Sequence, residues 1–260
     1  MLKVFFDTHA HLEDNKFKDD LEQVIEDIKN SDTSLVLNVG FNIEHIKRSL
    51  ELSDKYDFIY SAAGLHPSDS LEAASDSYWE TLYNYGKYPK VKAIGEMGLD
   101  YYWDRAPREH QKKVFVRQID IAKELQMPII IHDRDAHGDI LEIVKKEKAG
   151  LNGGVFHAYS GSLEMAREVI KEGFYISVGG VITFQNAKKL AEVVREIPLK
   201  YILIETDSPY LTPHPFRGKR NDPVKVKYVA EKIAEIKGIT LEEVARETMK
   251  NGRELFRIEN

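Results

Sequence analysis

The residues of this chain best suited to chemistry lie in five short polar fragments, each following an apolar run: Asp7-Thr8-His9-Ala10-His11, Glu96, His132, His157 and Asp207. If they meet, four imidazoles and two or three carboxylates share one centre, and the economical use of such a set is to hold divalent metal. With zero cysteines the chain has neither a disulfide framework nor a thiolate site, so the metal must be held by nitrogen and oxygen. Zn, Mn and Mg all accept such donors, and the histidines favour a transition metal over Mg.

Taken singly, a His or Asp after a strand is more often a turn or cap than a ligand, and His-x-His alone is a moderate signal. The ordered set carries the metal reading: His9-x-His11, then a Glu, two His and an Asp, each after an apolar run. At a spacing of two in extended backbone, His9 and His11 point the same way. His45 and His110, on helical stretches among charged neighbours, read as surface residues. His137, after Asp133-Arg134-Asp135-Ala136, reads as capping or lining a helix start.

The elements that must position these residues are apolar, β-branched runs alternating with helical stretches. Strands are expected at Val4–Phe6, Leu35–Val39, Ile59–Ala63, Val91–Ile94, Pro128–Ile131, Gly154–Phe156, Phe174–Val178 and Tyr201–Ile204. Between them, Leu21-Val24-Ile25-Ile28, Val114-Ile119-Ala122-Leu125 and Ala187-Leu190-Val193-Val194 recur at the spacing of one helix face. Strand followed by helix implies parallel strands with right-handed crossovers, and continuous apolar runs imply strands covered on both faces. Eight such units over residues 1–260 predict a single α/β domain, a (β/α)8 TIM barrel, with an open doubly wound sheet as runner-up. No linker, repeat or low-complexity tract divides it. The Pro-rich stretch 207–223 cannot be helix. Beyond it, 224–236 and 241–256 read as closing helices, the second begun by a Thr240/Glu243 capping box. In a barrel, active sites form at the carboxyl ends of the strands, where every fragment named above falls.

Composition bounds the function. At 42% hydrophobic the chain can bury a full core. No run approaches the roughly 18 to 20 apolar residues of a spanning helix, and Met1–Phe6 is too short for a signal-peptide core, so a soluble, unexported, cytoplasmic protein is expected, with no membrane and no obligate protein partner. A net charge of −6 is not the basic surface of a protein that holds nucleic acid by phosphates alone. A phosphate-bearing substrate then requires metal ions and a few local basic residues.

Phe6-Asp7-Thr8-His9-Ala10-His11-Leu12, Gly64-Leu65-His66-Pro67, Ile94 to Tyr102, Pro128 to Arg134, Phe156 to Gly161, Leu203 to Pro213 and Phe216 to Pro223 together carry a resemblance. The sequence resembles a TatD-type metal-dependent hydrolase of the amidohydrolase superfamily nearly end to end. Its departures are small: Asp222 stands where the family more often has Glu, and the third residue of Phe156-His157-Ala158-Tyr159 varies. The resemblance implies one metal on His9, His11, Glu96 and Asp207 and a second on Glu96, His132 and His157, with Glu96 bridging. Independently, two ions roughly 3.5 to 4 Å apart can activate a water and stabilise both oxygens of an in-line displacement at phosphorus. Asp207 is then expected first as a ligand and second as the general base, and Asp207 and Glu96 are the expected catalytic residues.

Around the ions, His66 is expected to donate to a phosphoryl oxygen, and Arg134 and Tyr159 to touch substrate. Tyr101, Tyr102 and Trp103 offer faces on which a nucleobase can stack. Arg217, with Lys219 and Arg220, supplies a basic patch suited to bidentate phosphate contact. Glu205 is expected to orient a ligand histidine or a loop amide from behind. The leading expectation is a deoxyribonuclease, with DNA or another phosphodiester as partner. A hydrolase of small amides, esters or phosphoesters on the same scaffold is the alternative, and a non-catalytic barrel binding protein is the second, against which stands the complete ligand set.

Overall fold

A computed structural model of the chain describes residues 4–73 and 75–259. Among them, strands β1 (Phe5–Ala10), β2 (Thr33–Gly40), β3 (Ile59–Ala63), β4 (Val91–Asp100), β5 (Ile129–Arg134), β6 (Gly154–Phe156), β7 (Phe174–Val178) and β8 (Ile202–Ile204) form one sheet in chain order. Each is parallel to the next. The sheet closes on itself: Thr8 Oγ1 donates to Ile204 O (2.9 Å), Asp207 N to His9 O (2.9 Å) and His11 N to Ser208 O (2.8 Å). The strand order and the closure exclude the doubly wound runner-up, whose sheet is open and reverses direction midway. All eight strands stand where the apolar runs predict them, as a TIM barrel requires.

Helices α1 (Leu21–Lys29), α2 (Ile43–Lys55), α3 (Asp76–Gly86), α4 (Arg108–Glu124), α5 (His137–Lys146), α6 (Leu163–Lys171) and α7 (Lys188–Glu196) fill the crossovers, and α8 (Val226–Lys237) and α9 (Leu241–Phe256) follow β8. The capping box of α9 is formed: Glu243 N donates to Thr240 Oγ1 and Thr240 N to Glu243 Oε2. No helix among the described residues is long and apolar enough to cross a membrane.

The core divides as the two-faced strands dictate. Ile94, Ile129, Phe156 and Ile176 pack with Phe115, Ile119, Val169 and Val229 of the helices. Phe6, Leu35, Leu37, Val39, Ile130 and Leu203 pack with Leu255, Phe256 and Ile258. The end of α9 lies at the amino ends of the strands, where Arg257 Nη1 donates to Gln126 O just before β5 (2.8 Å) and Phe256 meets Phe6 edge-on with ring centroids 5.9 Å apart. That end is plugged with apolar side chains, and the opposite end is left to polar ones.

Two strands are irregular where they carry ligands. Between Asp7 and Ala10, β1 spends three residue steps against two on β2 (Val36 to Asn38). Between Ile94 and Met97, β4 spends three against two on β5 (Ile129 to Ile131). Each extra residue is a bulge, which re-aims the side chains beside it, and the two bulges carry His9 and Glu96. The close approach of β4 to β5 also explains two glycines. Gly95 and Gly98 have φ of +144° and +146°, and a Cβ on them would lie 2.6 Å from Ile130 O and 2.0 Å from His132 O. A side chain at either would be strained and would push β5, with His132, away.

Candidate metal centre

The five fragments meet at the carboxyl end of the barrel, with half of the ligand residues inside strands rather than after them: His9 lies in β1, Glu96 in β4 and His132 in β5, with His11, His157 and Asp207 just beyond β1, β6 and β8. Glu96 is at the middle. Its Oε2 lies 3.4 Å from His9 Nε2 and 3.8 Å from His11 Nε2, while its Oε1 lies 2.7 Å from both His132 Nδ1 and His157 Nε2. Asp207 Oδ1 completes the first side, 3.4 Å from His11 Nε2 and 3.9 Å from His9 Nε2. Asp207 has φ +54°, a left-handed conformation that Asp tolerates. Its amide is held by His9 O.

Behind the ligands stands a layer of oxygens. His11 Nδ1 meets Val39 O at 2.8 Å, which places its proton there and leaves the Nε2 lone pair facing Glu96. His132 Nε2 meets Asp100 Oδ2 at 3.1 Å, which turns its Nδ1 inward. Glu205 accepts from Ala158 N (2.7 Å), and its Oε1 lies 3.5 Å from His157 Nδ1 without a hydrogen bond to it. His9 stacks on His157 at 4.0 Å, and its buried Nδ1 has no hydrogen-bond partner. Asp7 ties β1 to β8 by accepting from Thr206 N (2.9 Å) and Thr206 Oγ1 (2.5 Å). Burial pushes its carboxyl well above the usual range, against these hydrogen bonds.

Charge follows the geometry. Burial opposes ionisation of Glu96, but the charge of His157 and its contacts with His132, His157 and His9 prevail and hold the carboxyl well below its ordinary range. Asp207, half-buried, is likewise held down against the cost of burial, by His11 and by the charges of His157 and His9. Two carboxylates therefore stay ionised in a pocket of imidazoles.

The donor set fits divalent metal. Imidazole nitrogens approach one another at the centre, His9 Nε2 to His11 Nε2 at 3.2 Å and His132 Nδ1 to His157 Nε2 at 3.3 Å. Such nitrogens, close to both oxygens of Glu96, are the donors a divalent cation would take in their neutral form. His9, His11 and Glu96 form one group with ligand atoms within 4.8 Å of each other, and Glu96, His132 and His157 form another. Every donor is nitrogen or carboxylate oxygen, the set expected without cysteine.

Two cavities of about 360 and 440 Å³ flank this floor and share His132, His157, Asp207 and Tyr210. The larger contains His66, whose Nδ1 accepts from Ser68 N (3.1 Å) and whose Nε2 lies 3.7 Å from Glu96 Oε1. Burial and the charge of His132 push the His66 pKa down to about 3, so the ring is neutral with its remaining proton on Nε2. The smaller contains Arg134 and Tyr159. Tyr159 is buried and its hydroxyl is committed to Ser162 O (2.7 Å), so only its ring faces the cavity.

Other predicted positions fall elsewhere. Arg217 is exposed, lies over Phe184 at 4.1 Å and lines neither cavity. Arg220 is the residue that pins the Pro-rich segment, through paired bonds to Asp20 (2.7 and 2.6 Å) and a stack on Phe17 (4.6 Å). Two residues read as surface are not. His45 is half-buried with Nδ1 3.2 Å from Glu13, itself 3.7 Å from His11 Nδ1, and His110 Nε2 meets Ser70 O at 3.0 Å. His137 opens α5 and pairs with Asp133 at 2.8 Å. Asp100 and Glu13 escaped the sequence reading, and Asp7 stood in the first fragment without a role of its own. Asp7 and Asp100 lie two and four residues from the ligands His9 and Glu96 along the same strands, and that spacing was the available signal.

A protein-family model described as TatD related DNase matches residues 6–257. Among relatives, an uncharacterized metal-dependent hydrolase of Bacillus subtilis, YabD, is 52% identical over 98% of this chain and 100% of that protein. YcfH of Escherichia coli K12, also an uncharacterized metal-dependent hydrolase, is 37% identical over 97% of this chain and 96% of that protein. Among solved structures, YjjV, a TatD homologue from Escherichia coli K12, superposes with a TM-score of 0.93 at 31% identity, with both chains covered completely.

Proposed function

This chain belongs to the TatD-related DNase family and is a metal-dependent hydrolase, and from that premise we propose that it hydrolyses phosphodiester bonds of DNA at a two-metal centre bridged by Glu96. The observation that carries the reading is the division of the Glu96 carboxylate, with Oε2 toward His9 and His11 and Oε1 toward His132 and His157. A bridging carboxylate has to present its two oxygens to two separate donor sets. Divalent ions held there would supply Lewis acidity toward a phosphoryl oxygen and toward the attacking water.

The chain's own groups divide the remaining work. Asp207, with Oδ1 turned to His11 and its side chain 14% exposed, is the ionised group open to both cavities, and it accepts the proton of the attacking water. His66 donates from Nε2 to a phosphoryl oxygen, since its Nδ1 is occupied by Ser68 N. Arg134 and Lys189, lining the smaller cavity, supply the local positive charge that an acidic chain otherwise lacks.

The test is a panel of substrates presented to metal-loaded protein: single-stranded DNA, duplex DNA, and small esters and amides. Cleavage of DNA that weakens as salt rises is expected, because phosphate contacts release counterions. Turnover of amides with DNA left intact would sink the nuclease reading.

A further inference from the structure

The segment joining β4 to α4 carries the most exposed aromatic side chains near the mouth. Trp103 is 61% and Tyr102 56% exposed. Their rings meet edge-on at 5.1 Å and 88°. Each has a guanidinium beside one face, Arg105 at 5.6 Å from the Trp103 ring and Arg134 at 4.7 Å from Tyr102. Trp103 and Arg105 line the larger cavity, with His66, Glu96 and Asp207, while Arg134 lines the smaller. The segment thus borders the larger cavity, and Tyr102 meets the smaller only through Arg134 of β5.

Its position is tied to the metal floor through one carboxylate. Asp100 Oδ2 holds His132, and Asp100 Oδ1 accepts from the amides of Tyr102 (3.0 Å) and Trp103 (2.8 Å). Gln111 of α4 clamps the start of the segment by donating to Asp100 O and Ala106 O and accepting from Asp100 N. Trp103 is thus a large aromatic left in water on an anchored segment at the edge of the larger cavity, with a face free for a ligand.

We propose that Trp103, braced edge-on by Tyr102, is a stacking platform for an unpaired nucleobase next to the scissile phosphate. The inference rests on the phosphodiesterase reading above. Flat faces beside cations suit a base attached to a phosphate, because stacking is indifferent to base identity and the guanidinium answers the phosphate. A base buried in a duplex stack offers no free face, so the platform selects single strands or frayed ends. Asp100 is the positioning residue that keeps the platform in register with His132.

The test uses the protein's two tryptophans, Trp79 and Trp103. In the Trp79→Phe protein, Trp103 is the sole indole, and its emission is followed in stopped flow on mixing metal-loaded protein with oligothymidylate, before turnover. Quenching by oligothymidylate, absent with an abasic phosphodiester of equal length, supports stacking. Equal quenching by both, or none by either, overturns it. Trp103→Ala is expected to lower kcat/KM on oligothymidylate about tenfold relative to that on bis(p-nitrophenyl) phosphate, mainly through KM, with Trp103→Phe restoring most of the loss. An unchanged ratio overturns the platform. The two readings fail separately: base-dependent quenching without cleavage sinks the nuclease and supports the platform, while cleavage without quenching sinks the platform alone.

Discussion

On the floor of the barrel mouth the side chains are buried or half-buried and backed by oxygens, His11 and His132 through hydrogen bonds to a strand carbonyl and to Asp100, His157 across 3.5 Å from Glu205. At the rim, with no such support behind their side chains, Trp103, Tyr102 and Arg217 stand exposed, touching each other's rings or a neighbour's. The floor is preorganised because a buried imidazole with a free ring would lose the orientation that makes it a ligand. The rim is tethered through its backbone and leaves its side chains to the ligand. Rigidity therefore belongs to the chemistry and adaptability to recognition, and Asp100 joins the two.

The sharpest way to break that contrast is at Glu96. Glu96→Ala removes the shared carboxylate, and both metal sites should lose occupancy, with turnover falling at least about a thousandfold, since metal activation is worth several kcal/mol. Elemental analysis alongside kinetics checks it, and full occupancy at both positions would contradict bridging. Asp100→Ala comes next, with an expected loss of about 10- to 100-fold in metal affinity or turnover. If only the oligonucleotide KM moved while metal affinity held, Asp100 would serve the rim rather than the floor.

The smallest effect belongs to the outer wall. Arg220→Ala breaks the pair with Asp20, whose side chain is 46% exposed, so the cost should stay within about 1 kcal/mol, or roughly 2–4 °C in Tm. Asp20 is held below its ordinary value by Arg220. A depressed carboxylate stabilises the fold above its unfolded pKa of about 3.9 and loses that contribution as pH falls through the folded value. The Tm difference between wild type and Arg220→Ala should thus be level near neutrality and shrink below about pH 4, as thermal melts would show. A larger cost at neutral pH would mean that the Pro-rich segment is held more like the floor.

The strands and the residues that line the mouth were legible in the chain because both are local. An apolar run marks a strand, and the polar residue at its carboxyl end has one place to go once the barrel closes. The rim was less legible. Arg217 and Arg220 have the same chemistry and lie three residues apart, yet Arg220 is spent on Asp20 and Phe17 while Arg217 rests on Phe184. His45, polar and on a helix, read as surface although Glu13 draws it inward. Such fates depend on which partner the fold delivers, and the partner is distant in sequence.

By itself the sequence determined the barrel, the nitrogen and oxygen character of the centre and the side chains at its mouth, since periodicity and residue type act over a few neighbours. Only the tertiary structure decided which oxygen of Glu96 faces which histidines, that Asp100 and Glu205 stand behind them, and that the two ligand strands bulge at His9 and Glu96. Those features arise from contacts between strands that meet only when the sheet closes, and no local pattern encodes a distance across a barrel.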